Sequence, residues 1–150
     1  QKTAYEIYQC DWSSDVCSSD LGLVMSARDY DRFLHMLLNG GELDGARILK
    51  PETVRLAMSN LLPPGADTTL LNETGKDTGV VLGFGAGGSV YLADAPNGPG
   101  KGTFGWGGAA GTIGWVDPVH KLRATVMINL FGDTPLKREA SKAIYADLAK

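Results

Sequence analysis

The sequence predicts an α+β domain in which two helices precede an antiparallel sheet of three strands and a final helix closes the chain. Three observations predict this plan. Apolar residues between Tyr30 and Leu38 repeat with the period of a helix, the period falls to two from Val80 onward, and a helical repeat returns after Pro135. A chain of 150 residues is long enough for one modest core of this kind.

Residues 1–21 stand apart. QKTAYEIYQCDWSSDVCSSDL has no helical or strand period, holds four serines and lacks the charge-then-apolar layout of a signal peptide. It resembles a translated sequencing adapter: Gln1 to Ile7 and Asp11 to Leu21 match two fixed adapter blocks in one reading frame, with Tyr8 to Cys10 in place of the variable index. The expectation is a non-native, adapter-derived segment at 1–21 and a native part at 22–150. The segment carries Lys2 against Glu6, Asp11, Asp15 and Asp20, so of 14 basic and 17 acidic residues 13 of each remain. It also holds Cys10 and Cys17, both cysteines of the chain. A disulfide framework, a thiolate nucleophile and a zinc-cysteine site are therefore excluded from the native part.

The first helix starts at Ser26-Ala27-Arg28-Asp29, where the hydroxyl can take a free N–H of the first turn and the acid sits at the positive helix end. Tyr30, Phe33, Leu34, Leu37 and Leu38 share one face, and Asn39-Gly40-Gly41 stops the helix. Pro51, whose fixed φ suits the first helical position, opens a second helix through about Ser59. Pro63-Pro64-Gly65 and the polar run to Thr78 form a loop. Val80–Phe84 with Ser89–Leu92 reads as one glycine-interrupted strand, Thr103–Val116 as a second containing a bulge, and Leu122–Leu130 as a third. In the third, Leu122, Ala124, Val126, Ile128 and Leu130 lie opposite Arg123, Thr125, Met127 and Asn129. Asp94 to Lys101 and Asp117 to Lys121 carry the turns between strands. Thr134-Pro135 begins the last helix, with Leu136, Ala140, Ala143, Ile144 and Leu148 on its apolar face.

Composition narrows the partners. The apolar runs fall far short of the ~20 residues of a membrane-spanning helix. A net charge of −3 and a pI of about 5.3 leave no basic footprint for nucleic acid or an acidic membrane surface. Glycine, with 20 residues, stands at about twice its usual share, so several positions need positive φ or the close approach of another element.

Gly83-Phe84-Gly85-Ala86-Gly87-Gly88 has the G-x-G-x-x-G spacing of a dinucleotide loop. Such a loop needs a helix next, because the pyrophosphate rests on the helix N-terminus. Ser89-Val90-Tyr91-Leu92 continues as strand instead. The glycines are accordingly read as bending an edge strand or admitting close packing, and no nucleotide is expected.

A second glycine-rich stretch runs from Gly105 to Gly114 and ends in Trp115-Val116-Asp117-Pro118. An acyl-transfer intermediate needs N–H groups aimed at its oxyanion, and glycine lets a strand edge approach a substrate without obstruction. Taken alone, the stretch could equally be a glycine bulge where two strands cross. It resembles the third box of the serine hydrolases related to class C β-lactamases, penicillin-binding peptidases and family VIII esterases. There a strand edge carries Lys/His-Thr/Ser-Gly, or Trp-Gly-Gly in many esterases, before a glycine-rich stretch and a Trp-x-Asp-Pro turn. Trp106-Gly107-Gly108 matches the esterase form. The first helix, the Asn39–Gly45 turn, the Ile48–Val54 stretch, Gly83-Phe84-Gly85 and the last helix are similar in kind and order, so the resemblance spans Gly22 to Lys150.

The resemblance implies the C-terminal part of a β-lactamase/transpeptidase-like fold. The parent would act on a small ester or amide by acylating and deacylating a serine, with no metal or cofactor. It assigns an oxyanion N–H to Ala109 and places Trp106, Gly107 and Gly108 along the substrate. Trp106 stands where relatives carry Lys or His, which removes a cation for a substrate carboxylate; the alternative for this side chain is packing in the core. The family's nucleophile box and second box are missing, since residues 22–150 contain no S-x-x-K, Y-x-N or G-x-S-x-G. The fragment is expected to be inactive alone. A non-catalytic module that keeps the fold for binding or assembly is the competing reading. His35 and His120 have no acidic or serine partner at a spacing that suggests chemistry and read as structural or solvated. Trp115 and Asp117-Pro118 read as closing a hairpin, and Asn129 as facing either the cleft or solvent.

Overall fold

The computed structural model describes residues 25–69, 71, 79–108, 111–128, 130 and 135–148. Helix α1 (Ala27–Leu38) begins as its sequence predicts. The Ser26 hydroxyl accepts the Asp29 amide at 3.1 Å and donates to the Asp29 carboxylate at 2.7 Å. Leu34, Met36 and Leu37 are buried, whereas Phe33 is 44% exposed and stacks on Tyr30. Met36 enters the core and Phe33 leaves it because α1 is contacted by a hairpin as well as by the sheet. That hairpin pairs β1 (Glu42–Leu43) with β2 (Ala46–Arg47). Its base closes on Gly41, whose carbonyl accepts the Ile48 and Leu49 amides at 2.8 and 3.0 Å. Gly41 has φ +97°, and a Cβ there would collide with the Leu49 carbonyl, so only glycine serves. Pro51 then opens α2 (Pro51–Ala57), which buries Val54.

The main sheet has five antiparallel strands in chain order: β3 (Leu82–Phe84), β4 (Ser89–Tyr91), β5 (Phe104–Gly107), β6 (Ile113–Asp117) and β7 (Leu122–Val126). The α+β class is that expected, but the β1–β2 hairpin stands where only a turn was read, the third predicted strand ends at Val126 instead of Leu130, and the first two predicted strands are each a hairpin. Gly85 donates to the Gly88 carbonyl at 2.8 Å across one reversal, and Gly108 to the Thr112 carbonyl at 2.8 Å across the other. Glycine-built turns this tight leave the period of two unbroken in the sequence, so they read as interruptions within a strand.

Register sorts the two faces. Val90, Phe104 and Val116 lie in one cross-strand row and pack with Leu34, Leu37 and Val54 of the two preceding helices. Burying such apolar side chains contributes about 1.5–3 kcal/mol each. Gly114 lets α1 sit directly on β6, because a Cβ there would meet the Tyr30 ring. Arg123, on the same face, holds Asp31 of α1 through two contacts of 2.8 and 3.1 Å. Alternation puts Trp115 and Asp117 on the other face, toward α3 (Pro135–Leu148). Among the residues of α3 whose side chains are described, Tyr145 is buried; of the expected apolar face Ala140 and Ile144 are half-buried, and Ala143 and Leu148 are exposed. The Tyr145 hydroxyl, bonded to Asp117 and to the Trp115 indole, docks its side of α3 on β6.

Candidate functional site

Trp106 and Gly107 end β5, paired with Gly114 and Ile113 of β6. The strand reaches this position through Gly105, where a Cβ would collide with the Gly114 carbonyl and lie 2.6 Å from the Trp115 Cβ. Trp106 is 37% exposed, so it is not a core residue. Its indole meets the Phe84 ring at 89°, with ring centroids 5.2 Å apart. Gly107 and Gly108 follow, both half-buried, and the turn beyond is pinned by the Gly111 amide on the Gly108 carbonyl at 3.1 Å. Gly111 has φ +83°, and a Cβ there would run into the Ile128 side chain. The strand edge thus carries a half-exposed aromatic ring followed by backbone without side chains. Ala109 and Asn129 lie outside the described residues.

Phe84 and its supports were not legible as site residues. The Phe84 amide donates to Asn60 Oδ1 at 3.1 Å, and the Phe84 carbonyl accepts the Leu61 amide at 2.8 Å. The segment after α2 therefore grips β3 from both sides of Phe84. The surrounding glycines make room for that grip. A Cβ on Gly83 would press within 2.6 Å of Asn60 Cγ, one on Gly85 would collide with the Ala57 carbonyl, and one on Gly88 would lie 2.9 Å from the Phe104 ring. The G-x-G-x-x-G spacing is a packing device here, and β4 follows it directly.

Below the site, Asp117 is fully buried. Its Oδ1 accepts the Val119 and His120 amides at 2.9 and 3.1 Å, which closes the β6–β7 turn. Its Oδ2 accepts the Gly100 amide at 2.9 Å and the Tyr145 hydroxyl at 2.9 Å. His120 Nδ1 stands 2.8 Å from the same oxygen. This corrects the expectation that His120 lacks an acidic partner: a turn brings the carboxylate three places earlier to its Nδ1. Burial works against the Asp117 charge, but the bonds from Gly100, His120 and Tyr145 outweigh it and hold the carboxyl below its ordinary range. Burial and the bond to Asp117 push the Tyr145 hydroxyl up. His35 lies 2.9 Å from the Asn39 side chain at the end of α1, a local contact. A separate cavity of about 360 Å³ opens between α1 and α2, lined by Leu37, Leu38, Val54, Met58 and Val116 with Arg55, and it holds none of the expected site residues. Among the described residues no helix is long and apolar enough to cross a membrane.

A family profile described as Beta-lactamase matches residues 3–149, across both the tryptophan-glycine edge and the buried Asp117 turn. The chain belongs to the beta-lactamase family. Its fold is that of the superfamily of serine hydrolases and acyltransferases. Protein Rv1367c of Mycobacterium tuberculosis is 36% identical over 139 residues, covering 89% of this chain and 34% of the relative. The simvastatin synthase LovD of Aspergillus terreus, as its LovD6 mutant, superposes with a TM-score of 0.63 at 31% identity, over 79% of this chain and 32% of that one. A penicillin-binding protein homologue from Caulobacter crescentus gives 0.56 at 26% identity, over 76% and 29%. The chain thus spans about a third of the length of these relatives. The profile also reaches into residues 3–21, the segment whose sequence reads as foreign.

Proposed function

We propose that the complete protein is an esterase-type serine hydrolase working through an acyl-enzyme, and that this chain supplies one wall of its active site. The observation that carries the reading is the end of β5, where the half-exposed Trp106 is followed by the bare backbone of Gly107 and Gly108. In the reaction a serine oxygen from outside this chain attacks the acyl carbon and the carbonyl oxygen becomes an oxyanion. The Ala109 N–H donates to that oxyanion, and the glycine edge lets the substrate come close enough to receive it. Collapse expels the alcohol and leaves a serine ester, which water then cleaves through a second oxyanion. Trp106 brings no positive charge to the substrate, so neutral esters are favoured over β-lactams that carry a carboxylate.

Intact-mass analysis of the complete protein after brief exposure to a short-chain aryl ester tests this reading. One added acyl group on a serine, with turnover faster on the ester than on a penicillin, is expected. A protein that forms no adduct and turns over neither substrate is the non-catalytic binding module, and faster penicillin cleavage overturns the substrate assignment alone. The 150-residue chain by itself is expected to hydrolyse neither.

A further inference from the structure

We infer that Phe84 is a positioning residue for substrate choice: it holds the Trp106 indole on edge, and the two rings form an apolar wall that selects extended, uncharged acyl chains over acetyl. This rests on the esterase reading of the Trp106-Gly107-Gly108 edge. Phe84 is itself immobilised, since its amide and carbonyl are bonded on either side to Asn60 and Leu61. Its ring meets Trp106 edge to face, a geometry in which the ring quadrupoles attract, and so restricts the indole to one orientation. A two-carbon acyl group held at the glycine edge is too short to cover such a wall. Each further methylene buried against it gains at most about fourfold in affinity.

The test uses the complete enzyme with Phe84→Leu, Phe84→Tyr and Trp106→Leu, on p-nitrophenyl hexanoate and p-nitrophenyl acetate. In Phe84→Leu the hexanoate-to-acetate ratio of kcat/KM is expected to fall between about twofold and tenfold, the range of an aromatic pair. The fall comes through KM for the hexanoate. Phe84→Tyr, which keeps the ring, restores the ratio, and Trp106→Leu lowers it as Phe84→Leu does. Acrylamide quenching of Trp106, taken as the difference from a Trp106→Phe counterpart, rises in Phe84→Leu only. An unchanged ratio in a folded Phe84→Leu protein overturns the inference, and if that variant does not fold, an unchanged ratio in Trp106→Leu does so. A wild-type enzyme that cleaves no ester refutes the esterase reading separately. The wall is then decided by binding of 2-octanone, a non-hydrolysable probe: weaker binding to Phe84→Leu than to Phe84→Tyr supports it, and equal affinity overturns it.

Discussion

The Tyr145 hydroxyl on α3 donates to Asp117 Oδ2 at 2.9 Å and accepts the Trp115 indole N–H at 3.1 Å, which ties the last helix to β6. The carboxylate has no access to water, so each donor it loses leaves charge unsatisfied. Tyr145→Phe keeps the ring and removes only the hydroxyl. It is expected to cost about 1.5–3 kcal/mol, the range for a hydrogen bond to a charged group. The measurement is the urea midpoint, which should fall with an unchanged slope.

Acid should weaken the same network. The folded pKa of Asp117 lies below its unfolded value, so its contribution is present above the ordinary carboxylate pKa of about 4 and is lost as pH falls through the lower folded value. Melting temperature measured downward from pH 6 should therefore decline more steeply in the wild type than in Asp117→Asn. Parallel profiles would contradict this.

Gly85→Ala should destabilise the domain by about 1–3 kcal/mol, because the new methyl meets the Ala57 and Ser59 carbonyls, which are backbone and cannot swing aside. Gly45→Ala is the control for positive φ without crowding, since nothing lies within 4 Å of its Cβ position. Thermal melts of the two variants should put the larger loss at Gly85.

Residues 1–21, which we hold to be adapter-derived, should be dispensable. Removing them is expected to leave the melting transition and far-ultraviolet circular dichroism unchanged. Loss of cooperative unfolding would show that the segment belongs to the native domain, as the reach of the family profile into it would then mean.

The helices were legible because their ends carry local chemistry: a Ser26 cap, a Pro51 start and the Asn39-Gly40-Gly41 stop act within a few residues. The strand count was not. The chain reverses at Gly85–Gly88 and again between β5 and β6, yet period-two alternation looks the same on both sides of a tight turn. The tryptophan-glycine edge could be read because it is contiguous in sequence. Phe84 and Asn60 could not, since only folding brings them to Trp106 and β3. The Asp117–His120 pair escaped for the opposite reason: three residues apart in a turn, it reads as turn chemistry until the carboxylate at the ring's Nδ1 is seen to be buried.

Whether the proposed Ala109 N–H serves as an oxyanion donor for a serine elsewhere in the complete protein is decided by turnover of an aryl ester in Ala109→Pro beside Ala109→Gly. Proline removes the N–H and glycine keeps it, so comparing the two separates loss of the donor from loss of the side chain. The proline variant, folded by circular dichroism, is expected to lose on the order of a hundred- to a thousand-fold in kcat while the glycine variant stays near wild type. A folded Ala109→Pro enzyme with full turnover would contradict it.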